Sequence, residues 1–304
     1  ATAWDVEVQP TGTAPTGIPT VSGITTKPYV WTGGSPGKIY RAWVRSNCGG
    51  SVSEWIGPTT FTTKIDNAVQ TCMALPIPDN GCSGNYLQVP LVVSGAPGSS
   101  LGTDVFIDRV ELIIQHNLDF ELSISLQSPG GAEIDLSSEN GGGGDHYGNP
   151  GNCPNQVTAF APWASGSITA GAAPFIGTYL PEGNFSSFNG VNPNGEWLLK
   201  ACDDINGLSG SLIYVKIFFT ACPRPTALAA STPTVNGATL NWTENGNATA
   251  WDFEFQPVGT PATGVPTVTG ATSKPYVWTG GSPFTNYQAW VRSNCGGSVS
   301  GWTG

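Results

Sequence analysis

The first 57 residues of this chain come back at its end. Ala1-Thr-Ala-Trp-Asp5 reappears as Ala248-Thr-Ala-Trp-Asp252, and the two copies run in step, without a gap, through KPYVWTGGSP and AWVRSNCGGSVS to Gly304. The offset is constant, Ala1 matching Ala248, and roughly three-quarters of the aligned positions are identical. Such a period decides whether a chain is read as one enzyme or as a link of an array, and this one far exceeds the ~20–50 residues of solenoid repeats. The repeated unit must therefore hold at least one whole domain. The pattern starts and stops in mid-copy, so the expectation is an excerpt, a little over one period, of a longer tandem protein.

Composition narrows the class. Charged residues make up 11% of the chain, well under the ~25% of ordinary soluble domains. Gly (41) and Pro (25) are abundant and Met occurs once. That mixture starves helices and suits short strands joined by turns. A net charge of −10 argues against nucleic acid, whose phosphates would repel it, and leaves cation binding open. No apolar run approaches the ~20 residues that cross a bilayer, so no membrane insertion is expected in this segment.

The seven cysteines are Cys48, Cys72, Cys82, Cys153, Cys202, Cys222 and Cys295. Cys48 and Cys295 are one position in two copies, so a full period holds six. An even set with no CxxC or Cys/His metal spacing reads as disulfides in an oxidising compartment, at the cell surface or outside it. Free buried thiols are the alternative. The odd cysteine follows if one copy has lost its partner.

Residues 223–304 alternate apolar and polar side chains in short bursts: Ala238-Thr-Leu-Asn-Trp242, Ala250-Trp-Asp-Phe-Glu-Phe255 and Tyr287-Gln-Ala-Trp-Val-Arg292. Turn-rich stretches separate them, as in a β-sandwich of about ninety residues. Pro225-Thr-Ala-Leu228, the tryptophan of Leu240-Asn-Trp242 and the corner Trp278-Thr-Gly-Gly-Ser-Pro-Phe-Thr-Asn-Tyr287 resemble a fibronectin type III domain lacking its last strand. Residues 1–64 resemble the same domain lacking its first two strands.

The intervening residues 65–222 also alternate, in Val110-Glu-Leu-Ile-Ile114, Leu122-Ser-Ile-Ser-Leu126 and Leu212-Ile-Tyr-Val-Lys-Ile-Phe-Phe219. No helical periodicity persists, so this part is read as β too. Ile77-Pro-Asp-Asn-Gly81, His116-Asn-Leu-Asp-Phe-Glu-Leu122, Gly177-Thr-Tyr-Leu-Pro-Glu-Gly183 and Asn192-Pro-Asn-Gly-Glu-Trp-Leu-Leu199 resemble the P domain (P/Homo B) that accompanies subtilisin-like proprotein convertases. The resemblance implies a jelly-roll-like β-sandwich that is not itself catalytic. The whole chain is then all-β, a tandem of sandwiches.

No enzyme is expected. Gly33-Gly-Ser-Pro-Gly37 fits the nucleophile-elbow pattern, but that motif has meaning only between a strand and a helix, and the second copy reads Gly280-Gly-Ser-Pro-Phe284. His116 lies in the turn pattern of the P-domain resemblance and is read as bonding backbone locally. A hard cation wants six to eight oxygens, and Asp119, Glu121, Asp145 and Asp203 supply carboxylates around a four-glycine run. Calcium, in a structural role, is the cofactor such a set would take. The plainer reading is acids that cap turns and stay solvated. Eight of the eleven tryptophans form four equivalent pairs in the two copies and read as packing residues. Trp163, in a loop that departs from the P-domain pattern, is the one aromatic nominated for contact with a partner.

The fibronectin resemblance implies a bond between Cys222, before the first strand, and Cys295, in a loop at the same pole. Cys72 with Cys82, closing a short loop, and Cys153 with Cys202 are the expected remainder, although six cysteines allow fifteen arrangements. Function is inferred from architecture: an extracellular adhesin, stalk or filament scaffold. Its partners would be neighbouring repeats, other copies of the same protein, or surface glycans and host or substratum surfaces. The alternatives are accessory modules of a large secreted protease or other hydrolase, and a glycan-binding module.

Overall fold

The computed structural model describes residues 2–35, 39–62, 65–66, 72–96, 99–296 and 298–304. Regular structure in them is almost entirely strand, so the expected all-β class holds. The chain divides into two compact units, Ala1–Lys64 together with Cys222–Gly304, and Ile65–Ala221.

The first copy is one antiparallel sheet of β1 (Ala3–Pro10), β2 (Val21–Ile24), β3 (Ile39–Asn47) and β4 (Ile56–Thr62), in the order β2-β1-β3-β4. Trp31, Tyr40 and Phe61 cluster on one of its faces, with ring centroids 4.9–6.0 Å apart. Tyr40 fixes the approach to β3 by accepting the Ser35 amide proton on its hydroxyl at 3.0 Å. The Gly33–Ser35 start of the elbow-like motif carries no helix, and Pro36 and Gly37 lie outside the described residues.

The middle unit holds β5 (Ile65–Asp66), β6 (Leu75–Ile77), β7 (Leu87–Val93), β8 (Phe106–Asn117), β9 (Leu122–Gln127) and β10 (Glu133–Ser138). It continues through β11 (Asp145–Tyr147), β12 (Thr158–Phe160), β13 (Gly177–Tyr179), β14 (Gly195–Asp203) and β15 (Gly210–Thr220). One sheet runs β10-β9-β14-β7; the other runs β13-β12-β8-β15-β5, with β11 added at β8 and β6 at β15. Alternate residues point inward. Leu122, Ile124 and Leu126 of β9 meet Val110, Leu112 and Ile114 of β8 in one core, all fully buried. Each such side chain contributes about 1.5–3 kcal/mol by leaving water. Trp197 is at the centre, edge-on to Phe188, its indole N–H donating to the Pro193 carbonyl at 2.9 Å.

Two of the expected disulfides are corrected. In place of Cys72–Cys82 and Cys153–Cys202, Cys72 bonds Cys153 and Cys82 bonds Cys202. The cause is strand pairing: the Gly81 amide donates to the Asp203 carbonyl at 2.7 Å, which sets Cys82 beside the end of β14. Closeness in sequence was the wrong guide, since these bonds span 81 and 120 residues.

The second copy has both sheets of a fibronectin type III-like sandwich. They are built from β16 (Thr226–Ser231), β17 (Ala238–Thr243), β18 (Ala250–Pro257), β19 (Val268–Ala271), β20 (Tyr276–Trp278) and β21 (Tyr287–Asn294). Sheet β16-β17-β20 faces sheet β19-β18-β21 across Leu240, Trp242, Trp251, Phe253, Phe255, Trp278 and Val291. Cys222 is bonded to Cys295.

Candidate functional site

Among the described residues, a group of buried ionisable side chains lies where β8 ends. The backbone turns at Leu118, in the left-handed region (φ 76°), and enters a single 3-10 turn, Asp119–Glu121. His116, Glu121 and Asp203 are buried with ligand atoms within 4.8 Å of one another. His116 Nδ1 lies 3.1 Å from the Leu118 carbonyl oxygen and Nε2 lies 3.0 Å from Asp203 Oδ2. Both ring nitrogens are thus engaged by partners within the chain. Burial, with Asp203 adding, pushes the Glu121 carboxyl above its ordinary range.

Asp119 is different. It is fully buried, and neither carboxylate oxygen has a hydrogen-bond partner. Burial raises its pKa to about 7; the nearby His146 amide opposes the rise and Asp145 adds to it. The glycine run folds against it. The Asp119 amide donates to the Gly144 carbonyl at 2.9 Å, and the Phe120 amide donates to that of Gly142 at 3.3 Å. At Gly141 (φ +87°) a Cβ would come within 2.9 Å of the Asp119 Cβ, so only glycine fits. A buried carboxylate so poor in hydrogen bonds, in a carbonyl-rich loop, suits a hard cation.

The four carboxylates expected as one calcium set are thus divided. Glu121 and Asp203 stand with His116, whereas Asp119 and the exposed Asp145 belong to the glycine loop. Residues two apart in a 3-10 turn lie about 240° apart, so Asp119 and Glu121 diverge. Trp163 is half-buried, and its indole N–H donates to the Asp108 carbonyl at 3.0 Å.

Sequence reasoning missed a pair of carboxylate clasps that recurs in both copies. Asp5 Oδ1 accepts from Ser22 Oγ, the Gly23 amide and Asn47 Nδ2, while Oδ2 pairs with Arg45 at 2.9 Å. The bonds from Asn47 and Ser22 outweigh burial and hold its carboxyl below the usual range. Glu7 accepts from Thr16 and Gly17, and Asp252 and Glu254 repeat the scheme. The visible signal was an acid at every second position, facing away from Trp4, Val6 and Val8.

No family model matches the chain, and no curated protein matches it. Solved structures with some likeness include a serine protease of Aeromonas sobria in complex with its chaperone. The identity there is 14%, over 59% of this chain and 36% of that one, with TM-score 0.30. The chain therefore spans little more than a third of that protein's length. The chicken CNTN1 FN1–FN3 domains are 9% identical over 99% of this chain and 87% of theirs, TM-score 0.24. A two-domain fibronectin type III segment of chicken tenascin is 14% identical over 68% and 97%, TM-score 0.25.

Proposed function

We propose that this chain is a non-catalytic stretch of a long, tandemly repeated extracellular protein, acting as an adhesin, stalk or filament scaffold. The repeat carries the reading: residues 1–57 return as residues 248–304 without a gap. Near-identical modules in series are how a chain gains length without new chemistry. The three disulfides fit an oxidising compartment, and among the described residues no helix is long and apolar enough to cross a membrane. The middle unit is read as a P domain from its motifs, and a calcium ion at Asp119 and the glycine loop as its structural cofactor. Partners are neighbouring repeats or further copies of the same protein.

Intact mass and negative-stain imaging of native material test this. A very large chain, or fibres with an axial repeat of two domains, supports it. A compact particle with one additional domain overturns it in favour of accessory modules on a secreted hydrolase, the role the P-domain motifs would then have. The glycan-binding alternative rested on Trp163, whose indole N–H is engaged by Asp108.

A further inference from the structure

His116 stands at the end of β8, Asp203 at the end of β14 and Glu121 in the turn between β8 and β9, so their cluster joins the two sheets of the middle unit. Each member is held from behind. The Leu118 carbonyl, 3.1 Å from His116 Nδ1, can only accept, which assigns the proton at that contact to Nδ1. The other nitrogen, Nε2, is left facing Asp203 Oδ2 at 3.0 Å. Asp203 Oδ1 is turned away and accepts the Ile205 amide proton at 3.1 Å. The Asp204 amide donates to the Glu121 carbonyl at 2.9 Å and fixes the turn. Gly210 lies flat against the ring: a Cβ there would come within 2.5 Å of His116 Cδ2 and push the imidazole out of place.

An imidazole lone pair and two carboxylates therefore meet in a closed interior, with one ligand atom from each residue within 4.8 Å of the others. Glu121 is 4% exposed, and its Oε2 has no hydrogen-bond partner. The carboxylates of Asp79 and Asp204 stand near enough to add their negative charge at Glu121. Three electron-pair donors converging out of water call for a cation between them.

We propose that His116, Glu121 and Asp203 bind a zinc ion, or another divalent ion that accepts imidazole, and that the ion ties the two sheets of the middle unit together. The Nε2–Oδ2 distance of 3.0 Å is close to the ~3.3 Å edge of a tetrahedron with zinc bonds of about 2.0–2.1 Å. Glu121, unheld at Oε2, closes the remaining gap and has a second oxygen for the fourth position. Two carboxylates and a neutral imidazole balance the 2+ charge. A backbone carbonyl on Nδ1 is the outer contact that orients metal-bound histidines. Calcium suits this cluster poorly, because it takes six to eight oxygens and one of the three donors is nitrogen. The site is thus separate in place and in chemistry from Asp119 and the glycine loop.

The test uses the full chain expressed in zinc-supplemented medium, dialysed into metal-free buffer and assayed by elemental mass spectrometry and X-ray absorption at the zinc edge. The expected result is about one zinc per chain, with one imidazole and otherwise oxygen ligands. Glu121→Gln, which keeps the side chain's size, should weaken zinc by at least the ~10–100-fold that loss of an outer-shell partner costs, read by competition with a chromophoric chelator. Asp119→Asn should leave zinc affinity unchanged. In the unaltered chain, zinc should slow hydrogen exchange at the ends of both β8 and β14, a readout that needs no variant. A chain that takes up no zinc, whose cluster then holds only protons, overturns the proposal. So does a zinc ion ligated by sulfur, or an affinity unmoved by Glu121→Gln. Displacement of zinc by an equal concentration of calcium also overturns it, by making the cluster a site for hard cations.

Discussion

Val44 and Val291 stand in the same seven-residue string, AWVRSNC, on the same strand of the same sheet, yet one is 40% exposed and the other fully buried. Local sequence thus sets strand, register and the carboxylate clasps in both copies, and it does not set burial. Burial comes from the sheet laid across. The larger core residues belong to the covered copy: Phe253 and Phe255 stand where the first copy has Val6 and Val8. The first copy fills one end of its face with its own aromatic cluster and leaves the other end bare.

The comparison breaks most sharply at Trp242. Truncation to Ala should destabilise the second copy by about 3–5 kcal/mol and leave the first unmoved, read by hydrogen exchange resolved along the chain. An equal response in both copies would mean that the first is covered too. Cys222→Ser comes next. It removes a bond across 73 residues and should cost the second copy about 2–4 kcal/mol, with Cys295 becoming as reactive to thiol reagents as Cys48. If Cys295 stays inert, the sheet rather than the bond protects it.

Much of this was legible beforehand. Alternation marked the β9 and β18 strands, and the Cys222–Cys295 bond came with the fibronectin resemblance. Two things were not legible. In β15 the register shifts between Leu212 and Tyr214, so Leu212 and Val215 share the core face at an odd spacing, which strict alternation excludes. The four acids likewise looked like one set because sequence gives proximity along the chain, not direction around a tight turn. Only the turn geometry separates Asp119 from Glu121, and only the fold shows that both ring nitrogens of His116 are engaged by Leu118 and Asp203.

The middle unit, unlike either copy, should answer to calcium and to pH. Asp5 and Asp119 have opposite signs. The lowered pKa of Asp5 contributes stability above its unfolded value near about 4, lost as pH falls. Asp119, raised to about 7, binds its proton more tightly in the folded than the unfolded state. Stability of the middle unit should therefore fall as pH rises from about 4 to about 7. Calcium binds the ionised form and should reverse that fall, by about 2.7 kcal/mol at a hundred times its Kd. Asp119→Asn should abolish both the pH slope and the calcium response, while the two copies stay unchanged in EGTA. A calcium response that survives Asp119→Asn but disappears with Glu121→Gln would move the site to the histidine cluster.

The smallest effect is the most discriminating, because it uses one residue in two places. Val291→Ala removes apolar surface from a closed core and should cost about 2 kcal/mol. Val44→Ala, at a face still open to water, should stay within about 0.5 kcal/mol. Urea unfolding followed separately in each copy gives both numbers, and their ratio measures what the covering sheet adds. A Val44 penalty as large as that of Val291 would show that the first copy's face is already closed in solution.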